Sequence, residues 1–259
     1  MFRKRDYTVI HTDPGKRILM DVIAYPRPPD GHALLWVDMS AAREFCHQYR
    51  REHKVPLTDL HLLIKASAAM IKHYPAINQM LDGYKIIAAD AIDIGISVAG
   101  EEGITPVVVI RNADQKSLPE IVEEFKEKKR KAVEEEQENL EKLRKIGRWI
   151  PVNFVRRQLV QFVTQRHFVK RRVIGTFQIT SLNMEDVEMH VTNHLGTAMN
   201  LSTGAVVKRP VVIDNKVEIR PTLSTCWQAD TRVIPARDVI KSAQLFKWLM
   251  EHPAELDDR

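Results

Sequence analysis

Cysteine is almost missing from this 259-residue chain. Its two cysteines, Cys46 and Cys226, lie far apart and form neither a metal-ligand nor a redox spacing. That argues against a disulfide framework and points to two free thiols in a reduced compartment. The first residues, MFRKRDYTVIHTDPGKR, carry charge but lack the apolar core of a secretory signal. No uninterrupted apolar run approaches the roughly 20 residues needed to cross a bilayer. There is no internal repeat and no low-complexity linker. The formal net charge of +5 is too mild to imply a nucleic-acid partner by itself. With 44% hydrophobic and 28% charged residues, the chain is expected to be soluble, cytoplasmic and globular.

What is present reads as one domain of mixed elements. KRILMDVIAYPRPP and HALLWVDMS look like two strands joined by the turn-rich PRPPDG. Ser40 is a natural N-cap for a helix over AAREFCHQYRREHK, with Ala42, Phe45 and Cys46 at helical spacing. Leu60, Leu63, Ile64, Ala68 and Ile71 predict a second, buried helix, ended by PAINQML. β-rich segments follow, cut by a turn at Gly103. Ser117 with Glu120 forms a capping box, and Pro119 sits in the first turn of a long Glu/Lys-rich helix to about Lys145. GTFQITSL and RPVVIDNKVEIRPTLSTCWQA return to strand patterns. A last helix places Val239, Ala243, Phe246 and Leu249 inward. This order predicts an α+β domain with helices packed on a mostly β layer.

Several segments, in order, resemble the catalytic domain of the dihydrolipoamide acyltransferases of 2-oxoacid dehydrogenase complexes. IKASAAMIKHYPAIN resembles the family's Lys-Ala helix running into Pro-x-x-Asn. DIGISVAGEEGITPVVVIRNADQKSLPEI follows its Gly-Ile-x-Val, Gly-Leu-x-x-Pro-Val and Asp-x-x-Ser-Leu run. GTFQITSL resembles Gly-Thr-Phe-Thr-Ile-Ser-Asn-Leu, and LSTCWQADTRVIPA lines up with the segment holding Asp-His-Arg-x-x-Asp-Gly. The resemblance implies a chloramphenicol acetyltransferase-like α/β sandwich, a mixed β-sheet flanked by helices, assembling as a homotrimer or larger homo-oligomer. It spans residues 21–256, after an extension over 1–20, with a basic amphipathic insertion at about 146–172. No lipoyl or peripheral-subunit-binding domain is expected, and no covalently attached lipoate.

The resemblance also assigns roles. Acyl transfer from coenzyme A needs a base for the acceptor's proton, a donor for the tetrahedral oxyanion and a channel that orients both substrates. The oxyanion donor, from a neighbouring subunit, maps to Thr180. A strand threonine is equally at home there for structural reasons. The family's histidine base maps to Thr231, whose hydroxyl cannot take a proton near neutral pH as imidazole does. The family's Asp and Gly fall on Pro235 and Ala236, so the loop is expected to be reshaped as well. Asp230 and Arg232 are kept and read as a pair buttressing that loop. A carboxylate held by arginine is a poor replacement base. Trp227 and Pro235 either line or fill the coenzyme channel.

His190 and His194, spaced i and i+4, are read as loop residues, because Val191, Thr192 and Gly196 disfavour a helix and no third metal ligand is evident; the resemblance places their segment near the site, which leaves a displaced base as the alternative. No metal is expected. His73 is read as a helix-end residue. The basic segment 149–172 carries Val152, Val155, Leu159 and Phe162 on one side, with Arg156, Arg157, Arg166 and Arg171 nearby. It is expected to pack that side on the domain, with an anionic membrane surface or a partner protein as rivals, and no nucleic acid. Three readings of function stand together. The chain binds coenzyme A or acyl-CoA with histidine-based transfer lost or altered. Alternatively it is a non-catalytic scaffold or partner of an active paralogue, or a membrane-surface module.

Overall fold

Along the first strand, β1 (Asp30–Asp38), His32, Leu34 and Trp36 alternate with Ala33, Leu35 and Val37. Only the second set packs against the core, so the sheet built on this strand has two unlike faces. The computed structural model describes residues 13–23, 30–82, 85–98, 106–149, 152–164, 166–181, 187–192 and 196–257. Three further strands, β4 (Ile94–Ser97), β5 (Val107–Ile110) and β6 (Phe177–Ser181), join β1 and the long pair β7 (Met199–Ile213) and β8 (Lys216–Asp230). They form one six-stranded mixed sheet ordered β1-β8-β7-β6-β4-β5. β6 runs parallel to both β4 and β7, and the remaining pairs are antiparallel. β2 (Gln79–Asp82) and β3 (Lys85–Ala88) make a separate two-stranded ribbon.

The core face carries Phe177, Ile179, Leu201 and Trp227, and it is covered by α2 (Ser40–His53), α3 (Asp59–His73) and α8 (Ala236–Glu251). Phe246 of α8 meets Trp227 edge-on, 4.8 Å between ring centres, a favoured aromatic geometry. Trp227 is fully buried in this core and so fills space instead of lining a channel, whereas Pro235 is exposed just before α8. α3 opens with Thr58 and His61 capping each other's backbone, and His73 is its last residue. α4 (Leu118–Glu134) opens on the Ser117–Glu120 capping box, with Pro119 in its first turn. Both cysteines are free and buried.

β7 and β8 are each 15 residues long and outrun their neighbours. Their link is the two-residue turn Asp214–Asn215, both at positive φ, the conformation that matches the twist of a hairpin. The distal half of this arm exposes Val212, Val217 and Ile219.

Two expectations are corrected. The segment read as a strand from Lys16 is α1 (Pro14–Ile23) as far as Ile23, and residues 24–29 lie outside the described residues. It folds as a helix because Asp13 caps Gly15 and because α1 packs on α5 (Glu136–Trp149) and α6 (Asn153–Thr164). Gly147 of α5 makes the approach feasible, since a Cβ there would lie 2.5 Å from the Pro14 carbonyl. Ser40 is the first residue of α2, not its cap. Asp38 accepts its N–H at 2.8 Å instead. The predicted turn at Gly103 lies outside the described residues.

The amphipathic segment also differs from expectation. α6 turns Arg156, Val160 and Thr164 toward the protein, and Val152, Val155, Leu159 and Phe162 stay exposed. A buried ion pair, Arg156 Nε to Asp21 Oδ2 at 2.6 Å, anchors α6 to α1. α7 (His167–Ile174) then leads into β6.

Candidate active site

Thr180 lies on β6, in register with Ser97 of β4 and Ser202 of β7. Strand alternation points all three side chains to the face opposite the helices. The Thr180 hydroxyl is 3.3 Å from Ser97 Oγ, and Thr192 Oγ1 donates to it at 3.3 Å. Thr192 in turn lies 3.1 Å from Ser202 Oγ, and Gln178 donates to Ser97 at 3.2 Å. Thr180 and Ser202 are buried. Accepting from Thr192, the Thr180 hydroxyl keeps its own proton to donate, either to Ser97 or to another acceptor.

Thr192 reaches this cluster because the segment 187–192 crosses the sheet face. Ala205 N–H donates to Val187 O at 3.1 Å, and a Cβ at Gly204 would fall 1.9 Å from Glu188 O. Only glycine fits beneath that backbone. His190 lies on the same irregular segment, as expected, and His194 lies outside the described residues. Among the described residues no cluster of metal-ligating side chains occurs.

Beside the hydroxyls runs a second row in register across four strands: Gln178, Asn200, Gln228 and His32. Asn200 Nδ2 donates to Gln228 Oε1 at 3.0 Å, and Gln228 Nε2 lies 3.0 Å from His32 Nε2.

Asp230 ends β8 two residues further on, buried, with Arg232 wrapped around it. Oδ2 accepts from Nη2 at 2.6 Å; Oδ1 accepts from Nε at 2.9 Å and from the Arg232 N–H at 3.0 Å. The Asp230 carbonyl takes the Val233 and Ile234 N–H groups. The turn 231–234 is thus fixed from both sides. Thr231, exposed between the pair, lays its methyl against Gly31, 3.2 Å from where a Cβ would stand. Lys170 of α7 is buried nearby, donating to Leu81 O at 3.0 Å. Burial pushes its ammonium below the ordinary lysine range, and Asp82 draws it partly back.

Thr180 and Thr231 do not meet within one chain. Register places Cys226 two strands across from Thr180, and Thr231 lies five residues beyond it. The separation is more than about 15 Å. The sequence pattern missed Ser97, Thr192, Ser202 and Lys170. Their signal lies in strand register and in a segment crossing over, neither of which periodicity encodes.

A cleft of about 570 Å³ opens past the end of β6, bounded by Ser181 and Gly204 on one side and by Arg43, His47 and Arg50 of α2 on the other. Arg43 contacts Asp59 at 3.4 Å, and Arg50 donates to Cys46 O at 3.0 Å.

Residues 32–142 match the family described as 2-oxoacid dehydrogenases acyltransferase (catalytic domain). The dihydrolipoyllysine-residue succinyltransferase component of the 2-oxoglutarate dehydrogenase complex of Cupriavidus necator is 27% identical over 220 residues, covering 84% of this chain and 45% of that protein. The chain thus spans less than half the length of that curated relative. The cubic core of the pyruvate dehydrogenase multienzyme complex superposes with a TM-score of 0.70 at 20% identity, over 99% of this chain and 98% of that one. The dihydrolipoamide acetyltransferase of Azotobacter vinelandii, studied for a serine, a histidine and an asparagine in its catalytic mechanism, gives 0.67 at 20% identity over 93% and 88%. The fold is the mixed-sheet architecture of these cores.

Proposed function

We propose that this chain is a member of the 2-oxoacid dehydrogenase acyltransferase family and binds coenzyme A or an acyl-CoA, with the family's histidine-based transfer lost or altered. The observation carrying this reading is Thr231, a hydroxyl held in the pinned turn after β8. In the Azotobacter enzyme the histidine and asparagine stand four positions apart, as Thr231 and Pro235 do here. A hydroxyl cannot act as the base near neutral pH, and losing a general base costs about 10²–10⁴-fold in rate. Asp230, with both oxygens occupied by Arg232, buttresses the turn and does not replace the base.

The cleft past the end of β6, on the helix side of the sheet and not lined by Thr180 itself, supports coenzyme binding. Its volume is in the range of small-molecule sites, and Arg43, His47 and Arg50 suit the phosphates of coenzyme A. The distance between Thr180 and Thr231 supports a site shared between subunits, and so a homotrimer or larger homo-oligomer. The apolar arm of β7 and β8 supports the same assembly, because exposed Val212, Val217 and Ile219 gain by being covered. A second reading rests on that geometry. A chain without the base can still lend Thr180 to an active paralogue in a mixed trimer.

The test is calorimetric titration with coenzyme A, alongside thiol release from an acyl-CoA panel with dihydrolipoamide and other acceptors. Binding with slow or no release is the expected result. Failure to bind coenzyme A overturns the proposal. Recovery only as strict homotrimers counts against the mixed-trimer reading.

A further inference from the structure

Between Glu141 and Glu185 the chain has no acidic residue and ten lysines and arginines. The same stretch holds the molecule's densest set of exposed large apolar side chains among the described residues. Trp149 is 88% exposed, Phe154 71% and Phe162 62%. Val152, Val155 and Leu159 complete the stripe, and Phe168 follows on α7. The folding of α6 explains why these side chains are outside. Its inward side is Arg156, bonded to Asp21, with Val160 and Thr164 beside it. A helix that buries an arginine and leaves its phenylalanines in water has its apolar stripe committed to something other than the domain.

We propose that the surface formed by the end of α5, by α6 and by α7 docks on an anionic bilayer surface. Exposed Arg148, Arg157 and Arg172 flank the apolar stripe, and Arg166 stacks over the Phe162 ring at 4.4 Å. Tryptophan and phenylalanine between arginines is the chemistry of interfacial helices, where rings enter the headgroup boundary and guanidinium groups meet phosphate. Charge decides the occupant. A second copy presenting the same face would bring two sets of cations together. A lipid surface offers negative charge and apolar depth at once. Among the described residues no helix is long and apolar enough to cross a membrane, so the contact is peripheral.

The test is co-sedimentation of the full chain with vesicles of phosphatidylcholine alone or with phosphatidylglycerol, at low and high salt. Two doubly substituted variants are compared, Trp149→Ser with Phe162→Ser, and Arg148→Glu with Arg157→Glu. All four positions are exposed, so far-ultraviolet dichroism should be unchanged. Binding is expected only with phosphatidylglycerol, weakened by salt, and weaker by about fivefold or more for each cation removed. The ring variant is also expected to lose binding. Three results overturn the proposal: no binding to anionic vesicles at low salt, equal binding to both lipid compositions, or self-association in sedimentation velocity that the ring variant abolishes.

Discussion

Asp230 holds the guanidinium of Arg232 with contacts of 2.6 and 2.9 Å and also takes the Arg232 backbone N–H. The residue between them, Thr231, is therefore presented by a rigid turn and not by a loose loop. Asp230→Ala removes three acceptor contacts at once. It should lower stability by about 1.5–3 kcal/mol, the value of hydrogen bonds to charged partners. Urea denaturation measures this, and a null effect would show that the turn is held mainly by the backbone.

Much of this architecture is readable from residues. The capping box at Ser117 and Glu120, the buried stripe of α3 and the last helix all follow from local periodicity and capping chemistry. α1 escapes such reading because its apolar run suits a strand equally well, and packing on α5 and α6 decides. The exposed stripe of α6 escapes for a related reason: a buried Arg156 to Asp21 pair, 135 residues apart in sequence, sets which side faces in. The roles proposed for Thr180 and Thr231 rest on family resemblance alone. Ser97, Thr192 and Ser202 need the register of the sheet.

His61 gives a pH signature. Burial pushes its imidazole down to about 4 from the usual value near 6.5. The unfolded chain then binds a proton that the folded chain refuses in that window, so stability should fall as pH drops from about 6.5 to 4. The loss is on the order of 3 kcal/mol. Its ring nitrogen accepts the Thr58 N–H at 3.1 Å. His61→Gln can keep that cap without titrating, and should flatten this part of the stability profile.

The anchor of α6 can be separated from its charge. Arg156→Ala leaves Asp21 buried without its 2.6 Å contact and should cost about 3–5 kcal/mol. Arg156 and Asp21 changed together to methionine and leucine should cost far less. Comparing the single and paired variants by denaturation tests whether the pair, and not the volume it fills, is what matters.

The cleft of Arg43 and Arg50 predicts a salt-sensitive coenzyme site. Arg43→Ala with Arg50→Ala should weaken coenzyme A binding by about 10–100-fold, at roughly 1.5–3 kcal/mol for hydrogen bonds to charged groups. Dephospho-coenzyme A, lacking one phosphate, should bind more weakly to the unaltered protein than coenzyme A does. Unchanged affinity for both ligands would place the coenzyme elsewhere.

The most direct test concerns the base position itself. Thiol release from a saturating acyl-CoA, with dihydrolipoamide as the acyl acceptor, is measured for the unaltered chain and for Thr231→His combined with Pro235→Asp and Ala236→Gly. If the base is what this chain lacks, the unaltered protein releases thiol at the background rate and the triple variant exceeds it by about 10²-fold or more. Rapid turnover by the unaltered chain, unchanged or slowed in the variant, would contradict that account.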